Sequence, residues 1–411
     1  MPRTLTKSAT EVVERVARFN AGREPERLAL KFRAMRESAF AFLRGTAHLF
    51  WEDWHASYKS LANAPLVWAT GDLHLENVGS FRGDNRLVYF DLNDFDEGTL
   101  APATWEVGRF LTSVHIAAKS LGISTNDARE LVTTFLDAYR DALADGKARW
   151  VERAVATGMV RELLSKVKGR TREALLDART IVRRGRRELR LDGRRALDIE
   201  QRDRERVAKA VEQFGETMPE PRFFRVLDVA RRVAGTASLG VRRYVVLVRG
   251  AGSPDGNWLL DLKQARPSAL APFVDSIQTA WPNDAERIVR VQQRMQAVSP
   301  ALLHAVSLDG GHFVLRELQP TEDRLALQHW HGKLGRLGRV MTTIGRLVAW
   351  AQLRSSSRDG SARIDDLIAF AEQRGWRRAL VRAAAEYTKR VESDWRVFAD
   401  APDETLGALS G

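Results

Sequence analysis

Two kinds of apolar pattern follow one another along these 411 residues, and their order limits the folds available. In residues 9–60, Val12, Val13, Val16 and Phe19 recur at helical spacing, and Leu28, Leu30, Phe32 and Met35 roughly repeat it. Residues 104–213 read as helical again, with few breakers. Near Pro219-Glu220-Pro221 the texture changes. Residues 223–233, 241–249 and 257–263 are short, rich in β-branched and aromatic side chains, and bounded by glycine turns, which predicts a three-stranded antiparallel meander. A helix carrying Ile288, Val291 and Met295 follows, then strand-like runs at 302–308 and 312–318 joined by Asp309-Gly310-Gly311. Residues 332–400 are helical once more. The expectation is an α+β chain in two lobes: helical residues 1–218, a β-rich lobe over 219–322, and helices from 323 to 411 that complete the first lobe.

Composition narrows the chemistry. With no cysteine, disulfides, thiolate catalysis and cysteine-ligated zinc or iron–sulfur sites are excluded. No apolar run reaches membrane-spanning length, and the first twenty residues lack a secretory apolar core, so a soluble cytoplasmic protein is expected. The net charge of +12 favours anionic partners such as nucleotides, phosphorylated substrates or nucleic acid. Residues 168–206 carry 14 Lys and Arg against 8 Asp and Glu. Mixed signs there read first as a solvated helical face, with a docking surface for a polyanion as the alternative.

The densest chemistry lies between Gly71 and Arg109, where eight acids, three asparagines and His74 surround two short strand-like runs. Carboxylate and amide oxygens suit Mg²⁺, which usually takes only one or two protein carboxylates and fills its shell with water and substrate phosphate. Phosphoryl transfer needs an Asp to receive the substrate proton, and an Asn and a second Asp on the metal.

Gly71-Asp72-Leu73-His74-x-x-Asn77 resembles the G-D-x-H-x-x-N loop of aminoglycoside phosphotransferases and other small-molecule kinases of the protein-kinase-like fold. Asp94-Phe95 and Trp105-Glu106, twelve residues apart, match two further parts of that pattern, although Glu106 stands where relatives usually carry Asp. The strings AMRESAFAFLRGTA, GDLHLENVGSF, FDLNDFDEG and LKQARPS resemble the bacterial family catalogued as domain of unknown function 2252, over roughly residues 25–400. The resemblance implies an ATP- and Mg²⁺-dependent phosphotransferase. In it Asp72 is the catalytic base, Asn77 a metal ligand and Asp94 the metal-binding Asp, with Asp91 as the alternative ligand. His74 positions the loop. Arg44 either clamps a phosphate or pairs with an acid, and Arg109 reads as structural.

A kinase-like site also needs a glycine-rich phosphate cover and a strand lysine. Only about 70 helical residues precede Asp72, so the usual β-rich lobe cannot lie there. Downstream, Gly235, Ser238 and Gly240 fall in the turn after the first meander strand, with Ala237 at the middle glycine position, and Lys263 ends the third strand. Glu286 is the candidate partner of Lys263, and residues 317–321, beginning at Glu317, are the candidate hinge against adenine. The implied order is that of a circularly permuted kinase-like fold, in which helical residues 338–353 are the element that ordinarily precedes the catalytic loop. Transfer of AMP on the same fold, or a nucleotide-binding pseudokinase or basic binding module, are the alternatives. The acceptor, a sugar, an antibiotic-like molecule or a protein hydroxyl, is left open.

Overall fold

Helix Ala103–Ser120 is apolar on nearly every side, and such a helix belongs in an interior. In the computed structural model, which describes residues 7–235, 239–320 and 324–402, it runs through the largest apolar core. Helices early and late in the described chain both contribute to that core. The Tyr387 hydroxyl, on helix Trp376–Asp400, donates to Leu49 O at 3.2 Å and to Asp53 at 3.1 Å. Arg15 and Arg390 each reach the same Asp53 carboxylate at 2.8 Å. Helix Leu334–Arg354 crosses Thr125–Asp145 at Gly345, where a Cβ would stand 2.5 Å from Phe135 O, so the crossing depends on a bare α-carbon.

The β-rich texture folds as a six-stranded antiparallel sheet in the order His304–Leu308, Gly311–Glu317, Trp258–Gln264, Arg243–Val248, Val226–Arg232, Ala196–Leu197. The expected meander and the two later strands are therefore one sheet. Register sets which side chains share a face. Lys263 opposes Arg243 and Val314, and Asp261 opposes Val245 and Arg316, so these residues point to one side.

One expectation needs correction. Residues 104–213 are not helical throughout, because strands Thr180–Arg183 and Arg186–Leu189 form a hairpin inside the basic segment. Its two-residue turn, Arg184-Gly185, has φ of +50° and +74°, the left-handed pair that a tight hairpin requires. Residues before 219 also pack on the sheet. Leu176, Leu189 and Ala196 pack on one face of the sheet, while Val207, Ala210 and Val211 of helix Gln201–Gly215 pack on the other. Conversely, helix Asp284–Met295 buries Ile288, Val291 and Met295 in the helical body's core. Among the described residues no helix is long and apolar enough to cross a membrane.

Candidate active site

Strand Leu66–Ala69 pairs with Thr99–Pro102 and delivers the chain into Thr70, Gly71 and Asp72. Buried Glu106, in the first turn of Ala103–Ser120, holds this bend by accepting from the Thr70 N–H (2.5 Å) and hydroxyl (2.7 Å). Gly71 has φ +73°, and a Cβ there would meet Glu97 O at 2.0 Å, so only glycine fits. One turn beyond Glu106, fully buried Arg109 donates through Nε to Asp72 Oδ1 at 2.7 Å, and through Nη2 to the same oxygen and to Leu43 O. Neither bond goes to Oδ2. The guanidinium lies 5.0 Å from the Phe50 ring centre. Burial outweighs the attraction of Arg109 and lifts Asp72 to about 6.

Asn77 ties this loop to the next one. Its side-chain oxygen accepts the Asp94 N–H at 2.7 Å, while its Nδ2 donates to Asp72 O (3.1 Å) and Asp94 O (3.2 Å). Asp94 follows strand Val88–Leu92 and is exposed in the cleft. Desolvation by the surrounding cleft walls acts to raise its pKa, but Lys263, Arg316, the Asp96 N–H and Arg243 together bring it below the usual carboxylate value. His74 is buried edge-on to Phe40, and its Nδ1 accepts the Glu76 N–H at 3.1 Å. Burial, with Arg44, Arg109 and Arg324 nearby, holds the ring well below the usual histidine pKa, hence neutral. It orders the loop.

Across from these acids stands the sheet. Asp72, Asn77, Asp94, Gly235 and Lys263 line one cleft of about 140 Å³. Among the described residues, six cationic ones face three acidic ones there, the cations being Arg44, Arg232, Arg243, Arg316 and Arg324 beside Lys263. Arg243 makes a two-pronged bond to buried Asp261 (2.8 and 2.5 Å), and Arg232 joins it at 2.7 Å. Arg316 approaches the same carboxylate at 3.7 Å. Three guanidiniums on one carboxylate leave the sheet face cationic, and they hold Asp261 well below its ordinary pKa against the pull of burial. Arg243 also donates to Ala234 O at 3.2 Å, bracing the start of the glycine turn.

The remaining expected residues lie elsewhere. Lys263 Nζ contacts the Asp96 carboxylate, not Glu286, whose nearest cation is Arg290 at 3.7 Å on its own helix. Asp91 is turned inward, accepting from its neighbour Leu92 N–H at 2.8 Å and from Ala297 N–H at 3.5 Å, and is not among the cleft-lining residues. Glu317 binds Arg86 (2.8 Å) in an adjoining cavity, and its N–H is taken by Ala301 O (3.0 Å). Gly240, with φ +86°, packs against Arg23. Ser238 lies outside the described residues. Arg44 pairs with Glu76 at 2.5 Å on the cleft wall. Asp96 as the partner of Lys263, Arg109 as the partner of Asp72, and Arg243 and Arg316 as cleft cations are not anticipated from the sequence. Arg109 was the detectable one, since it lies three residues after Glu106 and so on the same helix face.

No group of three His, Asp or Glu among the described residues is placed to hold a metal alone. The cleft nevertheless offers hard donors: the ionised Asp94 carboxylate, the Asn77 amide oxygen and Asp72. That set fits an ion that completes its shell with phosphate and water.

The family model described as "Uncharacterized protein conserved in bacteria (DUF2252)" matches residues 23–401. No curated protein matches the chain, and no solved structure does.

Proposed function

The chain belongs to the DUF2252 family, and from that premise we propose that it is an ATP- and Mg²⁺-dependent phosphotransferase acting on a hydroxyl acceptor. The observation carrying this reading is the shared cleft: Lys263, about two-thirds along the chain, faces Asp72, Asn77 and Asp94 near its start. Sheet cations on one side and carboxylates on the other are the surroundings a metal-bound triphosphate needs. A circularly permuted kinase-like arrangement accounts for the chain order. Helix Leu334–Arg354 is followed by residues that run beside strand Leu66–Ala69, with Ala362 N–H donating to Leu66 O (2.8 Å) and Trp68 Nε1 to Arg358 O (3.0 Å). The late helix thus ends where the early loop strand begins.

Asp94, with Asn77, would hold Mg²⁺, which supplies charge neutralisation on the phosphate oxygens when bound. Lys263 exchanges its contact with Asp96 for the phosphates of ATP. Asp72 Oδ2, the oxygen not engaged by Arg109, accepts the acceptor's proton as its oxygen bonds to the γ-phosphorus and ADP departs. Arg109 is a positioning residue, and Glu106 fixes the backbone on which Asp72 rides.

The test uses ATP labelled separately at the α- and γ-phosphates, with pooled small-molecule and protein acceptors. Transfer of the γ-label by wild type, and none by Asp72→Ala that still binds ATP, supports the proposal. A product carrying the α-label alone assigns AMP transfer instead and removes kinase chemistry.

A further inference from the structure

A second cavity, roomier than the cleft, adjoins it. It measures about 450 Å³ and lies beyond residues 316–320, sharing Arg316, Gln319 and Pro320 with the cleft. Its volume falls in the range of small-molecule pockets. Seven arginines line it, and Glu317 is the single acid among its described lining residues.

The arginines come from separated parts of the chain. Arg82 ends strand Val78–Arg82 and donates to Arg170 O at 2.8 Å. Arg86 pairs with Glu317 and lies 4.5 Å from the Trp258 ring centre, while Arg172 lies 5.1 Å from the same ring. Arg172 opens helix Arg172–Arg179, whose Ala174, Leu175 and Ala178 give the cavity an apolar wall opposite Leu318. Like charges gathered around one concave surface repel each other, and a bound anion relieves that repulsion. Guanidinium forks match phosphate geometry two bonds at a time. A purely solvated basic surface would not enclose an apolar wall of this kind.

We infer that this arginine-lined cavity binds a small phosphorylated molecule with an apolar or aromatic body, with the phosphate held by Arg82 and Arg172 and the body seated against Leu175, Ala178 and Leu318. The inference is independent of the phosphotransfer reading. The side chains assigned to the ligand, Arg82, Arg172, Leu175, Ala178 and Leu318, do not line the cleft, and the site takes its ligand whether or not the cleft holds a nucleotide.

The probe is 1-naphthyl phosphate, followed by its own fluorescence on the full chain, with uncharged 1-naphthol as control. Saturable binding of the phosphate ester, weakening with added salt and at least fivefold tighter than 1-naphthol, is expected, on the scale of one or two charge-assisted hydrogen bonds. Arg82→Gln with Arg172→Ser should weaken it roughly tenfold, and exposed Arg172→Ala alone, which leaves folding intact, about threefold. Lys263→Met should leave it unchanged. Equal binding of 1-naphthol, no saturable binding, or binding that is lost in Lys263→Met and kept in the arginine variants would each overturn the inference. The last result would place the probe in the cleft. Failure of the label-transfer test leaves this outcome untouched, so the two claims fail separately.

Discussion

Asp72 carries two opposing influences, burial and Arg109, and the balance sets when it can work. With a pKa of about 6, the carboxyl is protonated below that value and cannot accept a proton. The acidic limb of kcat/KM is therefore expected to rise with pH around 6 and to level off above about 7. Arg109→Lys, which keeps the charge, should hold that limb near its place, while Arg109→Met should move it to higher pH. A limb that does not move would remove Arg109 from its positioning role. Glu97 gives a stability counterpart. Burial, outweighing its bond from the Ala269 N–H, lifts it from the usual 4.5 to about 7. An acid whose folded pKa is raised binds protons more tightly when folded, so its contribution is complete below about 4.5 and is lost as pH climbs to 7. The melting temperature should decline across that window, and Glu97→Gln should lessen the decline; an identical pH profile in the variant would contradict the assignment.

At the scale of elements, the loop holding Asp72 is fixed by two groups that never touch a substrate. Glu106 satisfies a backbone N–H and a hydroxyl on Thr70, and Glu106→Ala would leave both without this acceptor in a buried site. The expected cost is about 1–3 kcal/mol in chemical denaturation, with activity lost more steeply than stability. Gly71→Ala should be worse, since the collision is with backbone that cannot give way. These elements show what the sequence could and could not reveal. The spacing from Gly71 to Asn77 and on to Glu106 was legible because those residues are local, and the later strands were legible because their β-branched runs are bounded by glycines. The hairpin Thr180–Arg183 with Arg186–Leu189 was masked by its arginines, which obscure a two-residue period. The pairing of Lys263 was unreadable: whether Asp96 or Glu286 reaches it depends on how the sheet docks on the helical body, 167 residues separating the partners actually joined.

Over the whole molecule, the charge of +12 is not spread evenly. Two adjoining concavities, the cleft and the arginine-lined cavity, concentrate cations on either side of residues 316–320. The early acidic loops and the later sheet meet because early and late helices of the described chain, from Val12 to Phe398, share one core, which closes the long path between Asp72 and Lys263. A ligand spanning the cleft should therefore stabilise sheet and helical body together. The direct measurement is the melting temperature of wild type and Asp94→Ala with ATP, with and without Mg²⁺. A clear rise is expected for wild type, on the order of 2–3 kcal/mol of added stability at a hundredfold excess over the dissociation constant, dependent on Mg²⁺ and abolished or sharply reduced in Asp94→Ala. No rise with any nucleotide, or an equal Mg²⁺-dependent rise in the variant, would contradict it.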